Sequence, residues 1–267
     1  MKTVILLTGC INPNGMPFTQ LNDACERQKQ YVDAIRYYLS NTDCPIIFCE
    51  NSNTDISMLF KDTQDRLEIL TFSGNQDKQR GKGYGEAEII DYAFHHSSFI
   101  QDDSIIIKIT GRLIVNNIAS IIKSMKSKQD FITCMLHSDL EFADSRIFCA
   151  TQSFYHEFLN NSKKINDNVE IYFEHILADT IIHSSVYYIP FSEEPIITGV
   201  SGTTGEKYSA KTPCIKQRIL YKLYTIEQAK RIKKISHNKR TSLWLNLVTT
   251  LNITWYKLLN KIINNFL

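Results

Sequence analysis

From Thr3 to Thr8 the chain reads Thr-Val-Ile-Leu-Leu-Thr and then stops at Gly9. A run apolar at odd and even positions alike predicts a strand covered on both faces, as in a parallel sheet. The turn-forming residues Cys10 to Gly15 follow. Asn22-Asp23 offers a helix cap, and Tyr31, Ile35, Tyr38 and Leu39 recur at helical spacing, which predicts a helix to about Leu39. Pro45 to Cys49 is a second apolar run, ending on Glu50-Asn51-Ser52, and Leu67 to Phe72 is a third. A glycine-rich loop, Gly81-Lys82-Gly83-Tyr84-Gly85-Glu86, leads into a helix from Ala87 to Phe99. Next come a strand from Ser104 to Thr110 that closes on Thr110-Gly111-Arg112, a helix near Asn117 to Lys126 and a strand from Phe131 to Met135.

Strands alternating with helices at this spacing predict an α/β fold with a mostly parallel, doubly wound central sheet. From Ser153 onward helices are expected to dominate. Asn168 to Leu177 reads as a helix carrying Glu170 and Glu174 one turn apart on one face. Ile181 to Ile189 reads as a strand, Gly199 to Gly205 as a second glycine-rich loop, and Ile215 to Lys234 as a basic helix. The last segment has Trp244, Leu247, Val248, Leu251, Trp255, Leu258, Leu259, Ile262 and Phe266 at three- and four-residue steps, with Asn246, Lys257 and Lys261 on the other side. That is an amphipathic helix.

Composition places the chain among folded proteins, because 43% hydrophobic residues over 267 positions can build a real core. Seven scattered cysteines, odd in number and without a C-x-x-C pair, suggest neither a disulfide framework nor a zinc site and fit a reducing cytoplasm. The N-terminal apolar run is too short for a signal peptide, and no stretch is long enough to span a membrane. The net charge of +2 conceals a division: 12 of the 30 Lys and Arg but only one of the 28 acids, Glu227, lie from Lys211 onward. Residues 1–210 are therefore expected to form the main domain, and 211–267 a basic tail. The tail's apolar face either packs on protein or lies on an anionic membrane with lysines at lipid phosphates. Nucleic acid is not an expected partner, since the basic residues are not interleaved with stacking aromatics.

Three glycines in five residues at a helix start, with Lys108 and Arg112 at the carboxyl end of a buried strand, look built to hold phosphate. Together, Gly81-Lys-Gly-Tyr-Gly-Glu86, Lys108-Ile-Thr-Gly-Arg112 and Ala143-Asp-Ser-Arg146 resemble a group of bacterial glycosyltransferases of GT-A type that build capsule, O-antigen and lipooligosaccharide chains. The resemblance runs from Met1 to about Tyr208 and implies transfer of a sugar from a nucleotide-sugar donor, uridine diphosphate by default, to a hydroxyl of a glycan or lipid-linked glycan. A sugar nucleotidyltransferase, or a non-catalytic nucleotide- or carbohydrate-binding protein, is the alternative.

It further implies that the base and ribose lie at Thr8-Gly9 and Glu50-Asn51-Ser52, with Arg27 nearby, and that Glu86 binds a sugar hydroxyl. On the residues alone, Glu50-Asn51-Ser52 reads equally as an ordinary strand-to-loop turn, Arg27 as a solvated helix face, and Lys108 as an exposed residue of an edge strand. The chain lacks the Asp-x-Asp that holds a divalent cation in most such enzymes. Thr110-Gly111-Arg112 stands in that place, and a guanidinium fork suits two phosphate oxygens. Transfer is accordingly expected to need no cofactor and no metal, or to depend on a divalent cation only weakly, with Lys82 and Lys108 as secondary phosphate partners.

A carboxylate must take the acceptor proton. Glu174 is the first candidate, with Asp144 and Glu170 as others; His175 would tune it or bind acceptor. Asp144-Ser145-Arg146 would lie by the phosphates or the acceptor unless Asp144 and Arg146 are a plain surface pair. Ser201 and Gly202 would close over the donor or form a simple hairpin. A lipid-linked acceptor gives the tail a use, so the chain is expected at the inner face of the cell membrane, held through residues 236–267.

Overall fold

The structure is a computed structural model and describes residues 2–15, 19–63, 65–125, 129–202 and 204–235. The elements follow in chain order as β1 (Thr3–Gly9), α1 (Ala24–Asn41), β2 (Ile46–Glu50), β3 (Leu67–Thr71), α2 (Lys82–His96), β4 (Ile105–Thr110), β5 (Ile114–Val115), α3 (Ile118–Ser124), β6 (Phe131–Leu136), β7 (Ala143–Thr151), α4 (Gln152–Ser162), α5 (Phe173–His183), β8 (Tyr187–Tyr188), β9 (Ile197–Val200), β10 (Lys207–Tyr208) and α6 (Ile215–Ile235). The expected α/β fold is found: seven strands form one sheet in the order β3-β2-β1-β4-β7-β6-β8, and only β7 runs against the rest.

The all-apolar runs fall in the middle of this sheet because both of its faces are covered. Val4, Leu6, Ile47 and Ile106 point to a layer built from α2, α4 and α5, whereas Ile5, Leu7, Phe48 and Ile107 point to α1 and α3. Strand β1 pairs with β2 on one side and β4 on the other, so the chain turns outward in opposite directions from neighbouring strand ends. Such a switch point opens a crevice beyond the carboxyl ends of the strands. A second sheet, β10-β9-β5, stands beside it. The Tyr38 hydroxyl fastens α1 to the turn between the two sheets: it donates to Leu113 O at 2.9 Å and accepts from Val115 N at 3.0 Å.

Four expectations are corrected. Helix α2 begins at Lys82, five residues before the expected Ala87, so Gly83 and Gly85 lie within its first turn. Strand β7 covers the Ala143-Asp-Ser-Arg146 motif, whose polar residues obscure the alternation of buried Ala143 and Ser145 with outward Asp144 and Arg146. Glu170 does not share a helix with Glu174. A short bridge from Asn166 to Ile171 closes that turn, Glu170 sits in the left-handed region at φ 60°, and α5 starts at Phe173. The strand expected from Ile181 to Ile189 is reduced to Tyr187–Tyr188, because residues 181–183 are the last turn of α5, where Ile181 packs on the same face as Ile176 and Leu177.

Helix α6 appears as expected and docks at the end of β6, burying Ile232. Its Tyr224 hydroxyl donates to Leu136 O at 2.5 Å, and Gln228 Nε2 donates to Leu136 O and, at 3.1 Å, to His137 O. The amphipathic segment assigned to a membrane, 236–267, lies outside the described residues. No helix among the described residues is long and apolar enough to cross a membrane.

Candidate functional site

A cleft of about 290 Å³ opens at the switch point, floored by Thr8 and Gly9 of β1 and by Thr110 at the end of β4. One side is formed by the first turn of α2, another by α5 and β7, and the β9–β10 hairpin tip lies opposite. Its two ends differ in charge.

At one end are Arg27 and Arg112. Arg27, 6% exposed, donates from Nε to Cys10 O at 2.7 Å, from Nη1 to Leu21 O at 3.1 Å and from Nη2 to the Tyr31 hydroxyl at 3.3 Å. Arg112, 8% exposed, donates from Nη1 to Gln30 Oε1 at 3.0 Å and to Val200 O at 3.1 Å, while its Nε has no partner. Neither forms an ion pair with a carboxylate among the described residues. Buried cations are ordinarily paired. The backbone is arranged to keep this corner open. Gly111 N bonds Thr8 O at 2.9 Å, and a Cβ at residue 111 would stand 2.7 Å from that oxygen. A Cβ at Gly202 would collide with Arg112 Nη2 and stand 4.0 Å from Arg27 Nη1. Gly202 O in turn accepts from Gln20 N at 3.1 Å, tying the hairpin tip to the loop ahead of α1. Ser201 and Gly202 thus belong to a hairpin that also lines the cleft.

At the other end stand Glu86, Glu174 and Asp167. Glu174 opens α5, and its Oε1 accepts from Ser145 Oγ at 2.6 Å. Burial pushes its carboxyl above the ordinary range; the Ser145 bond pulls it part of the way back, nearby Glu86 adds to the rise and Lys108 opposes it. Glu86 accepts from Thr8 Oγ1 at 2.9 Å and pairs with Lys108 Nζ at 2.5 Å. Asp167 accepts from Gly83 N at 3.2 Å, and burial raises its carboxyl as well. Lys82 faces the same cleft, with Asp167, Glu174 and Glu86 around it, and burial lowers its ammonium's pKa.

The glycine-rich stretch is not an open phosphate loop. Asp167 occupies the start of α2: a Cβ at Gly81, whose φ is +91°, or at Gly83 would strike that carboxylate, and one at Gly85 would strike Asn75 Oδ1. Gly83 and Gly85 still line the cleft, as packing positions.

Other expected site residues have different employment. Glu50 is wholly buried, accepting from Ile11 N at 3.0 Å, Ser52 N at 2.8 Å, Thr54 N at 2.9 Å and Ser52 Oγ. It shapes the loops after β1 and β2 and does not face the cleft. Ser52 Oγ accepts from Asn12 N at 2.9 Å, away from the cleft, whereas Asn51 lines it and donates to Asn75 Oδ1 at 3.0 Å. Lys108 is fully buried with its ammonium on Glu86, Ser145 O and Thr110 Oγ1, so it has no face toward a ligand phosphate. Asp144 is taken up by Arg146, whose Nε and Nη2 lie 2.9 and 2.6 Å from its two oxygens; the pair is partly buried, and Arg146 alone of the two lines the cleft. His175 closes the start of α5, its Nδ1 3.1 Å from Glu170 O. Sequence reasoning missed Asp167, Ser145 and Tyr172. Asp167 sits in a polar Asn-Asp-Asn run with no helix signal, and Ser145 stood inside a quoted motif without a role of its own.

In the place where the resemblance calls for a metal, Thr110, Gly111 and Arg112 offer a hydroxyl and a guanidinium, a donor set that does not fit a divalent cation. Among the described residues no group of three or more His, Cys, Asp or Glu is arranged to hold a metal.

No protein-family model and no curated protein matches the sequence. Among solved structures the chain is similar to the glycosyltransferase GlyE in Streptococcus pneumoniae TIGR4, with 11% identity over 91% of this chain and 67% of that one and a TM-score of 0.47. It is also similar to the galactosyltransferase LgtC, with 5% identity over 68% and 70% and a TM-score of 0.40. The inositol-1-phosphate CTP transferase from T. maritima shows 11% identity over 87% and 96% and a TM-score of 0.44. At TM-scores below 0.5 these likenesses carry no argument about function.

Proposed function

We propose that the chain is a glycosyltransferase that moves a sugar from a nucleotide-sugar donor, uridine diphosphate by default, to a glycan hydroxyl without a metal ion. One observation carries this reading. Two buried guanidiniums without carboxylate partners, Arg27 and Arg112, share a cleft with a carboxylate, Glu174, whose proton affinity burial has raised. An anion of two adjacent phosphates answers the first need, and a hydroxyl that must lose a proton answers the second.

In the transfer, the acceptor oxygen bonds to the anomeric carbon. The bond from that carbon to the diphosphate breaks with its electron pair, and Arg112 and Arg27 take up the negative charge that develops there. The acceptor proton passes to Glu174, which its raised pKa suits to that exchange. The acceptor is a cell-surface glycan or its lipid-linked precursor, with the tail beyond residue 235 as the membrane contact.

The test is a panel of uridine, cytidine and guanosine nucleotide sugars offered to the full chain, reading melting temperature and release of the nucleoside diphosphate. A nucleotide sugar at 100 times its dissociation constant stabilises by about 2.7 kcal/mol, and Arg112→Ala is expected to lose that shift. Turnover is expected to survive chelation. No shift from any nucleotide sugar, or pyrophosphate release from a nucleoside triphosphate, overturns the reading; activity abolished by chelator and restored by manganese overturns the role given to Arg112.

A further inference from the structure

The cleft's carboxylate end rests on a group that no ligand touches. Lys108 lies on the face of β4 that Ile106 also occupies, among Ile106, Phe148 and Phe173, and none of its side chain is exposed. An ammonium in such surroundings is strongly disfavoured unless its hydrogens are bonded and its charge balanced. All three are placed: Glu86 Oε1 at 2.5 Å, Ser145 O at 2.6 Å and Thr110 Oγ1 at 3.3 Å. Two of these partners lead to the cleft. Glu86 lines it and also holds Thr8 Oγ1 at 2.9 Å, and Ser145 donates its own hydroxyl to Glu174 at 2.6 Å. A continuous polar chain therefore runs Thr8, Glu86, Lys108, Ser145, Glu174 across β1, α2, β4, β7 and α5.

We propose that Lys108 is a positioning residue: its buried ammonium fixes Glu86 directly and Glu174 through Ser145, and is the charge that keeps two carboxylates side by side at the reacting end of the cleft. This rests on the reading of Glu174 as the proton acceptor. The groups facing Glu174 are Glu86 and Lys82 from α2, Lys108 from β4, Ser145 from β7 with the Asp144–Arg146 pair beyond it, and Asp167 from the turn ahead of α5. Of the cations, Lys82 lines the cleft, while Lys108 is sealed beneath it with none of its side chain exposed. Burial and Glu86 push the Glu174 carboxyl upward, and Lys108 opposes them. Removing the Lys108 charge is thus expected to move Glu174 further up, so that a larger fraction is protonated and unable to accept a proton at neutral pH.

The experiment uses the full chain as wild type, with Lys108→Met, and with Lys108→Gln, whose amide can still bond Glu86 and Ser145 O without the charge and keeps the test open if Lys108→Met does not fold. Glutamate is labelled with carbon-13 at Cδ, the Glu174 signal is identified by its loss in Glu174→Gln, and its titration midpoint is read without substrate. Both neutral variants are expected to titrate above wild type, the direction in which loss of a neighbouring positive charge moves a carboxyl. The acid limb of turnover should move the same way, and Lys108→Arg should restore part of it. Midpoints equal to wild type in the neutral variants overturn the proposal. A shifted midpoint without any turnover leaves the proposal standing and counts against the glycosyl-transfer reading instead.

Discussion

The two ends of the cleft treat buried charge in opposite ways. Among the described residues, Arg27 and Arg112 are met only by neutral acceptors: Cys10 O, Leu21 O, Val200 O, Gln30 Oε1 and the Tyr31 hydroxyl. Around Glu86 and Glu174 the carboxylates are woven into the protein's own network through Ser145 and Lys108. A dipole can satisfy a guanidinium's hydrogens but leaves its charge uncompensated, and the surrounding low dielectric magnifies what remains. One end consequently leaves positive charge uncompensated among the described residues, whereas at the other the carboxylates are paired or hydrogen-bonded within the chain. The same contrast recurs between two ion pairs. Lys108–Glu86 is sealed under the cleft, while Arg146–Asp144 sits at its rim with Arg146 over the Tyr208 ring at 4.9 Å.

Glu174→Gln tests the complete end with the largest expected effect. It keeps the acceptor for the Ser145 hydroxyl but cannot take a proton, so turnover should fall about 10²- to 10⁴-fold. Stability should move the other way. The folded carboxyl binds its proton more tightly than the unfolded one because burial raises its pKa, so wild-type stability declines as pH climbs through that raised range. The melting temperature of Glu174→Gln should therefore exceed wild type by a margin that widens with pH, measured by calorimetry from acidic to neutral pH; a constant margin would mean that the carboxyl is solvated. Lys108→Met on its own should cost about 3–5 kcal/mol in denaturant unfolding, the penalty of orphaning one partner of a buried pair, with most of it recovered when Glu86→Gln is added. Arg146→Met should cost less than Lys108→Met, because the guanidinium is 38% exposed and Asp144 keeps its bond from the backbone amide of residue 146. Similar losses from Lys108→Met and Arg146→Met would erase the distinction between the two pairs.

Much of this arrangement could be read from the sequence. The apolar runs of β1, β2 and β4 announced a sheet covered on both faces, and their ends announced where a crevice would open. Arg112 and Glu174 were then found in that crevice. What escaped was any role that depends on a partner far along the chain. Lys108 in an apolar strand looks the same whether it faces solvent or meets Glu86 and Ser145; only the packing of α2, β7 and α5 on one side of the sheet decides. Glu50 was misplaced for a related reason, because nothing in Glu-Asn-Ser shows that backbone amides of two loops will occupy both of its oxygens. Strand β7 was hidden by polar residues that alternate at a cleft's edge, a pattern that resembles loop.

The glycines at the start of α2 bear on how mutational tolerance is read. Residues 81, 83 and 85 would emerge from a substitution scan as a sharply intolerant triplet, the profile usually taken to mark a ligand-gripping fingerprint. Here the intolerance has a steric origin, set by Asp167 and Asn75 pressed against the backbone. In homologues it should therefore rise and fall with the identity of those two side chains rather than with the substrate.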